Sequence, residues 1–107
     1  MEKQNDIIIQ DNFYKILGAK IREERLKRLE EDKSEYTLDK LADRMDLTKA
    51  SISAMERGEQ QVSVYQLYRL GHLLNVPLEN FLNDIKFSPS VQLLKNDSND
   101  LQSIENL

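Results

Sequence analysis

The segment TLDKLADRMDLTKASISAMERG, residues 37–58, constrains the fold of this chain more than any other stretch. It holds two short apolar-periodic runs with only Asp46, Leu47 and Thr48 between them. In the first, Leu38, Leu41, Ala42 and Met45 recur at three-and-four spacing, which puts them on one helical face, and Thr37 stands ahead as a cap. The second begins after Thr48, carries Ile52 and Met55 on its stripe, continued by Glu56, and stops at Gly58. Glycine takes the left-handed conformation after a helix without a side-chain penalty. The segment therefore predicts two helices and a tight turn.

Three more helical signatures surround it. One begins after Asp11 or Asn12, either of which can cap it, and runs with Phe13, Leu17, Ile21, Arg25 and Leu29 at spacing four. Another follows Ser63 and turns Leu67, Leu70 and Leu74 inward, with Val64 and Tyr68 flanking. The last follows Pro77, with Leu78, Phe81 and Leu82. No run alternates like a strand, and glycine and proline fall between the segments except at Gly18 and Gly71, which mark close helix contacts. The expected fold is all-α, with five helices in residues 13–85. Residues 1–12 read as an N-terminal extension. Residues 86–107 read as a polar tail whose Val91, Leu93, Leu94, Leu101, Ile104 and Leu107 suit packing on a partner chain, hence a role in dimerisation.

A chain of 107 residues fits one small domain and one function. With no cysteine and a single histidine, His72, it offers no disulfide framework and no metal-ligand set, and it lacks a Gly-rich phosphate loop. No enzyme activity, cofactor or metal is expected, and His72 reads as a surface or packed residue. The opening MEKQNDIIIQDNF has three consecutive apolar residues flanked by acids, neither a signal-peptide core nor a spanning helix. The expected location is the cytoplasm, with no membrane partner.

Charge is uneven along the chain. The formal net charge is -4, yet residues 13–83 hold 12 basic and 12 acidic groups, so the excess acid belongs to the two ends. Electrostatic steering follows local potential, so a neutral middle can present a basic face.

Two charges lie on apolar stripes, Arg25 in the first helix and Glu56 in the third. An isolated buried charge is very costly, so the two are expected to pair as a structural ion pair that clamps helix three to helix one. The opposite side of helix three then carries Lys49, Ala50, Ser53, Ala54 and Arg57, which are small, polar or basic and include no acid. Short side chains beside an N-terminal Lys suit a major groove about 12 Å wide. Two short helices joined by a tight turn form the helix-turn-helix unit, whose second helix enters the groove while the first crosses the backbone. Lys40, Arg44, Arg57, Gln60 and Gln61 are the candidate phosphate contacts, together with the exposed amides before helices two and four.

The residues IREER (21–25), TLDKLADRMDLTKASISAMERG (37–58) and LYRLGHLLNVPLENFL (67–82) closely resemble the Cro and phage-repressor type, or XRE-like, helix-turn-helix family, over roughly residues 16–82. The LA pair, the apolar-Thr turn, the I-S-x-M-E-x-G run and the L-N-V-P segment fall in that family's order and spacing. The resemblance implies a five-helix domain that binds double-stranded DNA, usually as a homodimer, and regulates transcription from a pseudo-palindromic operator; a repressor is expected, although no residue separates repressor from activator. Base contacts are then expected from Thr48, Lys49, Ala50, Ser53 and Ala54. Backbone contacts are expected from Thr37, Lys40, Arg44, Arg57, Gln60 and Gln61, and Arg25 and Glu56 match the family's internal pair.

Three places depart from the family pattern. Leu38 stands where a Gln commonly binds phosphate, Asp46 stands where the turn often has Gly, and the acidic link LEEDKSEY (29–36) is longer than usual. The link either lengthens helix one or forms a flap away from DNA. On helix two, Asp39 and Asp43 compete with Lys40 and Arg44 for the side that faces phosphate. The rival function is a protein-binding module on the same frame, such as the antitoxin of a toxin pair, that uses its acidic ends to hold another protein. Of the tyrosines, Tyr68 is expected to pack, while Tyr65 suits either packing or phosphate.

Overall fold

The computed structural model describes residues 2–85, with side chains at Ile9, Gln10 and from Asn12 onward. Four α-helices follow in order, α1 (Glu2–Glu31), α2 (Leu38–Met45), α3 (Lys49–Glu56) and α4 (Val64–Leu74), and a 3-10 helix (Leu78–Leu82) closes the domain. Among the described residues there is no strand, so the all-α expectation stands. The fifth helix is corrected to a 3-10 turn. Its bonds are tight: the Asn80 amide donates to Pro77 at 2.9 Å and Ile85 to Leu82 at 3.1 Å. Five residues are too few to repay α-helix nucleation, and the tighter turn suits such short pieces.

The start of α1 is corrected as well. The helix begins at Glu2 rather than after Asp11 or Asn12. No Gly or Pro interrupts residues 2–12, so nothing forces a boundary where a capping residue happens to stand. Its thirty residues span about 45 Å at 1.5 Å per residue. At the other end the acidic link is divided: residues through Glu31 lengthen α1, and the rest forms a turn in which the Ser34 amide and hydroxyl donate to Asp32 Oδ1 at 3.0 and 2.8 Å. The tail 86–107 lies outside the described residues.

The three remaining α-helices share one punctuation. Thr37, Thr48 and Ser63 cap them, accepting the amides of Lys40, Ser51 and Gln66 at 3.2, 3.0 and 3.0 Å. Gln66 reaches back to the Ser63 amide at 2.9 Å and completes a capping box. Each helix stops at a left-handed residue: Asp46 at φ 55°, Gly58 at 75° and Asn75 at 58°. The next amide closes the stop each time, Leu47 to Ala42, Glu59 to Ala54 and Val76 to Gly71, at 2.8–2.9 Å.

The core forms where the four α-helices and the 3-10 helix meet. Leu17, Ile21, Leu41, Ile52, Met55, Leu70, Leu74 and Phe81 are fully buried, each contributing about 1.5–3 kcal/mol by removal from water. Gly18 sets the spacing of α1 and α3, because a Cβ there would lie 2.2 Å from the Met55 carbonyl oxygen. Gly71 makes a similar contact with the Val76 carbonyl. Arg28 ties α1 to the end of α4, donating to the Leu74 and Asn75 carbonyls at 2.7 and 3.3 Å.

Tyr68, expected to pack, is 61% exposed, and Leu82 is 40% exposed. The inward positions of α4 are already filled by Leu67, Leu70, Gly71 and Leu74, which leaves the Tyr68 ring to solvent. Phe81 fills the corresponding place beside Leu82. No helix among the described residues is long and apolar enough to cross a membrane.

Candidate nucleic-acid interface

The expected ion pair is present. Arg25 Nε donates to Glu56 Oε2 at 2.6 Å and Nη2 to Oε1 at 2.9 Å, both residues being buried, and Nη1 reaches the Tyr36 carbonyl at 3.3 Å. The fork satisfies both carboxylate oxygens and fixes the roll of α3 against α1. With Ile52, Met55 and Glu56 inward, Lys49, Ala50 and Arg57 stand in solvent, while Ser53 and Ala54 are half-buried. The outer face therefore opens most widely at its N-terminal end.

α2 holds that end in place. It packs on α3 and buries Leu41, Ala42 and Met45, and the Asp46 stop turns the chain within three residues, the left-handed region being one that Asp tolerates. Thr48 starts α3 with its hydroxyl oxygen accepting the Ser51 amide. The hydroxyl hydrogen is still available to donate, and the first amides of a helix have no partner inside it. Thr37 repeats the arrangement at the start of α2.

The cations around α3 are closely accompanied by acids. Lys49 Nζ lies 3.9 Å from Asp39. Arg57 Nη2 donates to Glu59 at 3.0 Å while Nη1 donates to the Ser53 hydroxyl. The Arg57–Glu59 hydrogen bond, with the attraction of the two charges behind it, holds the Glu59 carboxyl below its ordinary value and raises Arg57. Arg44 pairs with Glu35, sits 5.8 Å from the Tyr36 ring centroid and lends its carbonyl to Arg69 at 2.6 Å. The acidic link thus folds back on the second helix. Lys40 is exposed and forms no ion pair among the described residues. Gln60 accepts from the Ser51 hydroxyl at 3.2 Å, and Gln61 is exposed.

Arg22 escaped the sequence reading. It is exposed on α1 and lines a cleft of about 240 Å³ with Arg25, Leu38, Ser53, Glu56 and Arg57, where α1, the start of α2 and the end of α3 meet. Its spacing was the available signal: Arg22 precedes the buried Arg25 by three residues, which puts both on one side of α1. The local acid partners Glu35, Asp39 and Glu59 were missed too, since they join residues across turns.

Residues 20–81 match the helix-turn-helix family model, more than half of the chain. A search of curated proteins returned no match. The matched span begins within α1 and ends in the closing 3-10 helix, so it takes in the Arg25–Glu56 clamp, the α2–turn–α3 unit and α4. The chain belongs to the helix-turn-helix family of the Cro and XRE type, a family of DNA-binding transcription regulators.

Proposed function

We propose that the protein reads a pseudo-palindromic operator as a homodimer, with α3 in the major groove, and represses by occupying that site. The outer face of α3 carries this reading: Lys49, Ala50 and Arg57 are exposed there, and no acid belongs to it. Thr48, Lys49, Ala50, Ser53 and Ala54 are the base-side set, with Lys49 able to take guanine or phosphate and the alanines able to meet thymine methyls. Ser53 and Ala54, being half-buried, contribute close approach more than reach. Thr37, Lys40, Arg57 and Gln61 hold the backbone. Arg44 and Gln60 join them only by releasing Glu35 and Ser51.

One short helix reads too few bases alone, so two copies about 34–36 Å apart are needed for specificity. An exposed apolar surface supports the pairing. Tyr68 and Leu78 line one groove, Val64 and Tyr65 are exposed on the same helix as Tyr68, and Leu82 is exposed in the closing 3-10 helix.

Charge reversal tests the reading. Lys49→Glu and Arg57→Glu together are expected to abolish duplex binding while the thermal melt stays within a few degrees of the parent. Unchanged affinity contradicts it and turns attention to a protein partner.

A further inference from the structure

The cleft beside α3 has a chemistry of its own. Three guanidinium groups, Arg22, Arg25 and Arg57, line it against a single carboxylate, Glu56. Arg25 and Glu56 neutralise each other through two short bonds, so the charge left to the cleft is that of Arg22 and Arg57. Arg22 forms no ion pair among the described residues. The Glu59 partner of Arg57 stands outside the lining, and both members of that pair are more than half exposed. Solvent-exposed pairs of this kind are worth little and are readily exchanged.

Leu38 and Ser53 supply the remaining wall, and the Leu38 side chain brings no donor. The charged donors of the cleft are the arginines on α1 and α3, so an anion held here is gripped from its sides. A tetrahedral anion suits such a site, since a guanidinium presents a planar fork of donors that matches phosphate oxygens. The cleft also borders the outer face of α3 through Ser53 and Arg57, so a duplex lying along that face brings its backbone to the opening.

We infer that Arg22 and Arg57 form a seat for one DNA backbone phosphate, with Arg22 a positioning contact that fixes the angle of α3 in the groove. The inference rests on the DNA-reading proposal above. Arg57 exchanges the Glu59 carboxylate for the phosphate when DNA arrives, and Arg22 needs no exchange. Gripping one phosphate from α1 and α3 together locks the relative orientation of duplex and reading helix without selecting a base.

Affinity of Arg22→Ala for an enriched genomic duplex and for a scrambled one, each across a salt series, tests it. The variant is expected to lose about fivefold to tenfold near 0.1 M salt, as one released counterion implies, with the salt slope lowered by about one. The loss is expected to be equal on both duplexes, with an unchanged melt and with the slope kept in Arg22→Lys. Phosphate-ethylation interference locates the seat: one backbone position per half-site blocks the parent when ethylated and ceases to matter in Arg22→Ala/Arg57→Ala. Unchanged affinity and slope, a loss confined to the enriched duplex, or an unaltered interference pattern overturns the seat while DNA reading stands. Absence of binding by the parent protein at low salt overturns both.

Discussion

Arg25 and Glu56 show how a single pair governs the domain. Both were legible in the sequence because a charge on an apolar stripe must be met by an opposite one, and the only such charges stood on two helices. Their pairing is bidentate and buried. Glu56→Ala leaves Arg25 without its carboxylate and is expected to cost about 3–5 kcal/mol, read from denaturant unfolding. Arg25→Met/Glu56→Leu is expected to recover much of that loss, because replacing both charges removes the desolvation penalty as well as the attraction. Near-parent stability of Glu56→Ala contradicts the clamp. The exposed pair Arg57–Glu59 has the opposite character. Its expected effect is on DNA, not on stability: with the competing carboxylate gone, Glu59→Gln tightens binding to unrelated duplex and steepens the salt slope by up to about one. An unchanged slope shows that Glu59 does not compete with phosphate.

At the scale of elements, the helix-turn-helix was readable because each signal was local. Thr37, Thr48 and Ser63 cap as their positions suggested, and Asp46 takes the left-handed stop that a Gly more often fills. What sequence could not give was set by contacts between elements. Tyr68 faces solvent because the interior of α4 is already full, and Leu82 does so because Phe81 fills its place. α1 starts early because a capping residue permits a helix start without compelling one. Arg44 turns from a free cation into a partner of Glu35 only once the acidic link folds back. The α1–α3 contact at Gly18 is the element-scale test. A methyl group there meets the Met55 and Glu56 carbonyl oxygens, so Gly18→Ala is expected to cost about 1–3 kcal/mol by overpacking. A melt equal to the parent's contradicts so close an approach.

For the whole molecule, an acidic chain and a DNA-binding family are reconciled by where the charges lie. The excess acid belongs to residues 1–12 and 84–107, and the balanced middle holds Arg22, Lys40, Lys49 and Arg57 exposed. The carboxylates that accompany Lys49 and Arg57 lie where internal counterions would, and on the proposed reading they are expected to weaken attachment to unrelated DNA. The proposed pairing of two copies across α4 and the closing 3-10 helix is tested at this scale as well. Sedimentation is expected to show a dimer that Leu82→Glu converts to monomer, with weaker operator binding. A parent protein that stays monomeric with and without DNA removes the pseudo-palindrome from the account.

Selection of genomic fragments with the purified protein, followed by affinity for the enriched duplex and a scrambled one across a salt series, tests DNA reading most directly. The expected result is a preference of about a thousandfold or more, two related half-sites in the enriched sequence, and affinity that falls steeply with salt. No enrichment, with no binding even at low salt, contradicts it.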